Sequence, residues 1–182
     1  MNPDRINSLH LLHLSVSLEN LPTIQRLLES HANINQKDHQ QSTPLIIAAI
    51  RNNTPIIQLL LDHNANINDQ DHLGMAPIHI VIIHNNIAAL QLLLDSHANI
   101  NIQTTTGRTP LQIAAAINKL ECLQILLDRG AYVNINSPDY NPLHAFAGAN
   151  NLDLIHKFIN HGAQINAKSK IMSNDNPGSF YE

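Results

Sequence analysis

Bulky apolar residues and small polar ones alternate along this chain in blocks, and the blocks recur. Leu27-Leu28 is followed by Glu29 and then by Ala32-Asn33-Ile34-Asn35. The same order returns as Leu60-Leu61, Asp62 and Ala65-Asn66-Ile67-Asn68, and again as Leu93-Leu94, Asp95 and Ala98-Asn99-Ile100-Asn101. A fourth copy has Leu126-Leu127, Asp128 and Ala131-Tyr132-Val133-Asn134. A fifth, one residue early, has Phe158-Ile159, Asn160 and Ala163-Gln164-Ile165-Asn166. The spacing is 33 residues. A fixed period of that length predicts stacked repeats, each burying its apolar face only against its neighbours.

Each period predicts two helices. Thr43 and Thr109 are good N-caps, because a hydroxyl accepts a bond from an orphan backbone N–H. Pro44, Pro77, Pro110 and Pro142 then fall at the first helical position, where a missing N–H costs nothing. Ala48, Ala49, Ala114 and Ala115 are small enough to let a second helix approach closely. That second helix carries Ile56, Ile57, Leu59, Leu60 and Leu61, with Thr54 and Pro55 predicted to start it. Asn52, Asn85, Asn118 and Asn150 fall in the turn between the helices, and asparagine tolerates the left-handed backbone such a turn needs. A short turn-forming finger leads to the next repeat.

The helix-start phrase is Thr43-Pro44-Leu45-Ile46-Ile47-Ala48-Ala49 in the second repeat and Ala76-Pro77-Ile78-His79-Ile80-Val81 in the third. It is Thr109-Pro110-Leu111-Gln112-Ile113-Ala114-Ala115 in the fourth, Asn141-Pro142-Leu143-His144-Ala145 in the fifth, and a degenerate Leu11-Leu12-His13-Leu14-Ser15-Val16 in the first. With the period, this resembles the ankyrin repeat, whose signature is Thr-Pro-Leu-His-x-Ala. The resemblance implies an all-α ankyrin-repeat solenoid of stacked helix-turn-helix units with β-turn or hairpin fingers. The repeats are set at about 5–37, 38–70, 71–103, 104–136 and 137–168, forming one elongated domain over 1–168, with a tail or partial cap at 169–182.

Composition narrows the function. Net charge is -4, charged residues are 13% and aromatics 3% of the chain, and Trp is absent. The ten basic residues form no stripe, so a nucleic-acid footprint is missing. The start of the chain has no apolar core of a signal peptide. No apolar run approaches the roughly 20 residues that span a bilayer. One cysteine, Cys122, makes no intrachain disulfide and fits a reducing compartment.

Twelve histidines invite a metal reading. His72, His79 and His84 cluster in sequence, as do His156 and His161, but none has zinc-ligand spacing with Cys or carboxylate partners. His13, His79 and His144 hold the family's histidine position, where a ring bonds within the finger or to a neighbour. His31, His63, His97 and His161 fall near helix C-termini, where a partly positive ring is mildly favourable. A thiolate at Cys122 would need an exposed, electropositive setting, yet Cys122 is in register with Ile56 and Ala89, which read as buried. No phosphate loop or nucleophile motif is present. The chain is therefore read as a non-enzyme with no cofactor.

The residues a repeat does not need for itself are the finger tips and the exposed ends of the first helices. The tips are His39, Gln40 and Ser42, then His72, Leu73 and Met75, then Thr105, Thr106 and Arg108, then Asp139 and Tyr140. The helix ends are Ile50 and Arg51, Ile83 and His84, Ala116 and Ile117. In the ankyrin register they line one concave face, and exposed apolar residues gathered on one face mark a partner site. The resemblance also implies hydroxylation by a host asparaginyl hydroxylase at Asn68 and Asn101, with Leu60 and Leu93 eight residues upstream. The expected function is binding of a partner protein, with no nucleic acid and no membrane, by a chain that is monomeric on its own and cytoplasmic. Two alternatives stand beside it. One is a regulatory or targeting part of a larger complex; the Asn- and Ile-rich, Lys-poor composition also resembles ankyrin effectors that intracellular bacteria deliver into host cytoplasm. The other is a small enzyme or metal protein using Cys122 or the histidines.

Overall fold

The computed structural model describes residues 11–133 and 152–162. Asp139, Tyr140, Pro142, His144, Asn150 and the 169–182 tail lie outside the described residues. The chain divides into two compact bodies, Met1–Ala131 and Tyr132–Glu182. Regular structure among the described residues is entirely helical.

In the first body, helices come in pairs. The inner helices are α1 (Leu11–Ser17), α3 (Pro44–Ile50), α5 (Pro77–Ile83) and α7 (Pro110–Ala116); the outer ones are α2 (Leu21–Glu29), α4 (Thr54–Asp62), α6 (Ile87–Asp95) and α8 (Leu120–Asp128). Each inner helix packs on the outer helix of its own repeat and on the inner helices of adjacent repeats. The core is what the period predicts. Leu45, Ala48 and Ala49 meet Ile56, Ile57 and Leu60, and all six are fully buried. Ala89, Leu90 and Leu93, and Cys122, Leu123 and Leu126, repeat the same outer-helix set.

The helix starts follow the capping argument with two departures. Thr43 Oγ1 accepts the Ile46 N–H at 3.4 Å. Thr109 and Gln112 form a complete capping box, at 3.3 Å from the Gln112 N–H to the Thr109 hydroxyl and 3.0 Å from the Thr109 N–H to Gln112 Oε1. Ala76 has no side chain to cap with, so only the returning half exists: its N–H donates to His79 Nδ1 at 3.0 Å. The outer helix α4 is capped one residue earlier than Thr54. Asn53 Oδ1 accepts the Ile56 N–H at 3.0 Å, and Asn86 does the same for Ala89 at 2.9 Å.

Asn52, Asn85 and Asn118 adopt φ of 57°, 56° and 55°, the left-handed backbone expected of the inter-helix turn. The asparagines there also reach between repeats. Asn86 Nδ2 donates to Asn52 Oδ1 at 2.6 Å and to Thr54 Oγ1 at 3.0 Å, and Asn53 Nδ2 donates to Glu19 Oε2 at 3.0 Å. A glycine would give the turn but not the cross-link.

The second body holds α9 (Leu152–Asn160). Phe158 is fully buried, as Leu60, Leu93 and Leu126 are in the first body, so the one-residue shift of the fifth phrase is a real change of register. Lys157 and His156 are exposed. The His161 ring caps the helix end against the Lys157 carbonyl at 2.8 Å.

The fingers are tight turns. Asp71 Oδ1 accepts the N–H groups of Leu73 and Met75 at 2.8 and 2.9 Å, and Asp38 does the same for Gln40 and Ser42 at 2.8 and 2.9 Å. Adjacent fingers are tied by one backbone bond each, His72 N–H to the Gln40 carbonyl at 3.0 Å and Thr105 N–H to the Leu73 carbonyl at 3.1 Å. Gly74 has φ 73°, and a Cβ there would lie 2.4 Å from the Thr105 nitrogen. Gly107, at φ 75°, has open space around it. Gly107→Ala should therefore cost about 1 kcal/mol, the left-handed penalty alone. Gly74→Ala should add a clash of roughly 1–3 kcal/mol, because the neighbouring finger is backbone and cannot step aside. Urea unfolding of the two variants checks this; equal midpoints would contradict the finger packing.

Candidate partner-binding surface

The finger tips and inner-helix ends are built by different means. At a tip, Asp38 or Asp71 gathers two turn N–H groups, and in the third finger the Thr104 hydroxyl accepts the Arg108 N–H at 3.2 Å. At an inner-helix end, the helix stops at the left-handed asparagine and its last residues are left without a covering partner. Ile50, Arg51, Ile83, His84, Ala116 and Ile117 are all exposed, as are His39, Gln40, His72, Leu73, Thr105, Thr106 and Arg108. Met75 is half-buried. Ser42 is buried, and its carbonyl accepts a bond from His13 Nε2 at 3.1 Å. It belongs to the joint between the first two repeats, where no binding partner could reach it without displacing His13.

Reading the first repeat as degenerate hid one residue. Leu18 is exposed just past α1, in the same 33-residue register as Arg51, His84 and Ile117. Stepping back from Ile117 through the period would have found it.

Asn68 and Asn101 fall on a structural ladder. Asn68 Oδ1 accepts the Asn99 N–H at 2.8 Å, as Asn35 Oδ1 accepts that of Asn66 at 2.8 Å. Asn101 donates its own N–H to Asn99 Oδ1 at 3.0 Å. The Asn68 amide thus already fastens one repeat to the next.

The chemistry-bearing residues are accounted for by packing. Cys122 is fully buried, its thiol 3.6 Å from Asn85 Oδ1, and burial, with the Glu121 charge beside it, pushes its pKa up to about 11. Such a thiol stays protonated at neutral pH and is a poor nucleophile. Among the described residues no group of three His, Cys, Asp or Glu side chains could hold a metal ion. His63 Nδ1 donates to the Leu59 carbonyl at 2.9 Å, closing the end of α4. No helix among the described residues is long and apolar enough to cross a membrane.

His79 is held at both ring nitrogens. Its Nδ1 accepts the Ala76 N–H, so the ring proton sits on Nε2, which donates to the Ile102 carbonyl in the next finger at 3.1 Å. The ring is fully buried. It makes both bonds together only in its neutral form.

Short helix pairs stacked in sequence, with tight turns projecting between them, define a helical repeat scaffold. The family description "Ankyrin repeats (3 copies)" matches residues 12–104 and again residues 78–169. The chain belongs to the ankyrin-repeat family, whose members are protein–protein interaction modules. No curated protein matches it.

Burial, opposed by the Ile102 bond and the Asp71 charge, lowers the His79 pKa from 6.5 to about 4. The unfolded chain then takes up a proton that the folded one refuses. The stability this linkage provides is complete above pH 6.5 and is lost as pH falls from 6.5 toward 4. The full loss is about 3 kcal/mol, at 1.4 kcal/mol per pKa unit. Urea unfolding from pH 7 to 4.5 should show a shallower decline for His79→Gln than for the native chain. Parallel declines would mean that His79 titrates normally.

Proposed function

We propose that this protein is a binding module that captures another protein on its finger tips and inner-helix ends. The observation that carries this is Leu73. It is 55% exposed although the turn around it is fixed by Asp71 and by two neighbouring fingers. An apolar side chain mounted on a hydrogen-bonded turn leaves less backbone freedom to lose when a partner arrives, which favours binding. The half-buried Met75 and the exposed Ile83 and Ile50 are the other apolar residues of the proposed surface. In the sequence, Asp139 and Tyr140 hold the corresponding finger positions of the fifth repeat.

No catalytic residue, metal or cofactor is part of this reading, and neither nucleic acid nor membrane is a partner. The chain acts as a monomer in the cytoplasm, or in the host cytoplasm if it is delivered there. An alternative is that it targets or regulates an activity held by a larger complex.

Replacing Leu73, Met75 and Ile83 together with serine should abolish partner capture in a pull-down read by mass spectrometry. Helical circular dichroism and melting temperature should stay nearly unchanged. Gln58→Ser and Gln91→Ser, on the outer helices, should leave capture intact. Loss of capture in the outer-helix variants with retention in the triple variant would move the site to the other side.

A further inference from the structure

Each inner helix of the first body carries an exposed aliphatic residue at its end or one position past it. Leu18 lies just past α1, Ile50 and Ile83 are the last residues of α3 and α5, and Ile117 caps α7. They are 69, 48, 45 and 42% exposed. The inner helices pack side by side in chain order, so these residues lie at the same end of successive helices, one per repeat, as a staggered row in which Leu18 and Ile117 sit one position further along than Ile50 and Ile83. The core is closed without them.

Charge is arranged around the row. The inner helices contain no aspartate or glutamate. Arg51 and His84 directly follow Ile50 and Ile83, and both are exposed. Four exposed acidic residues, Glu29, Asp62, Asp95 and Asp128, are the last residues of the outer helices, while Asp38 and Asp71 are half-buried in the fingers, each accepting two turn N–H groups. Glu19, beside Leu18, is bonded to Asn53. The middle of the row is thus apolar with Arg51 and His84 beside it, in a chain of net charge -4.

We propose that the row seats one amphipathic α-helix of the partner, with aliphatic residues at seven-residue spacing on the row and acidic residues toward Arg51 and His84. The proposal rests on the binding-module reading above. Three physical arguments select a helix. Packed neighbouring helices lie about 8–10 Å apart, and a helix advances about 10.5 Å in seven residues, so successive anchors meet successive repeats. An extended strand returns to the same face every ~6.8 Å and falls out of step. A polyproline helix, at about 9.3 Å per turn, keeps step, but it docks in aromatic-lined grooves, and the row contains no aromatic residue. Finally, aliphatic side chains offer no hydrogen bonds to a docked backbone. A helix satisfies its own N–H and C=O groups, whereas an extended peptide would bury them unpaired. Strand addition needs an exposed sheet edge, and the described residues contain no strand.

The test is a selection on the full chain with two display libraries of peptides about 25 residues long, enough for four anchors at helical rise. One library is helix-favouring and the other Pro-rich and extended. The expected binders are helical, with Leu, Ile or Val every seventh residue and Asp or Glu alongside. Ile50→Ser with Ile83→Ser should weaken them at least about tenfold, or 1.4 kcal/mol, with unchanged helical signal and melting temperature. Arg51→Glu with His84→Glu should shift the selected flanks from acidic to basic. Pro-rich or extended binders that still lose affinity on the isoleucine substitutions would overturn the helix and leave the binding surface standing. Binders indifferent to those substitutions would remove the surface as well. A selection that yields no binder would overturn the helical seat, while capture of the native partner by the unmodified chain would still support the module.

Discussion

No helix pair in this protein can stand alone, and that constraint governs the rest. The inner helices of the first body are seven residues long and the outer ones nine. Isolated helices shorter than roughly 12–15 residues are marginal in water. Each pair therefore depends on burying its sides against the next. Ala48 and Ala49 keep the inner helix thin, and Ile56, Ile57 and Leu60 fill the space that remains. Polar side chains finish the joints. His13 and His79 donate to the backbone of the following finger, and Asn35 and Asn68 accept from the following repeat. Asparagine does three jobs here: it caps outer helices, takes left-handed turns and bridges repeats.

Because the joints consume these groups, they explain why reactive-looking residues are quiet. Cys122 occupies the place that Ile56 and Ala89 fill elsewhere, and burial keeps its thiol protonated. His79 is spent on two backbone bonds. What stays uncommitted is the surface that faces neither a neighbouring repeat nor the paired helix. The proposed function rests on side chains that the stack has no use for.

Much of this was legible in the residues. The period carries the fold, because stacking requires the same apolar set at the same place each time. Thr43 and Thr109 cap as expected, and Asn52, Asn85 and Asn118 turn as expected, since both effects are local. The misses are not local. Asn53, rather than Thr54, caps α4 because its backbone sits outside the helix while its amide can bond both inward and toward Glu19. The bridge from Asn86 to Asn52 links residues in adjacent repeats, and no neighbouring residue signals it. Ser42 looked like a finger tip, but His13 of the preceding repeat closes over its carbonyl. Leu18 was obscured because the first helix-start phrase lacks its threonine and proline.

The central claim is that the inner-helix side of the array, and not the outer side, meets the partner. A photo-reactive benzophenone side chain placed at Ile83, and separately at Gln91, tests this in the producing cell. Both positions are exposed, so both variants should fold alike. The account predicts one discrete covalent adduct from Ile83 and none from Gln91. An adduct from Gln91 with none from Ile83 would contradict it.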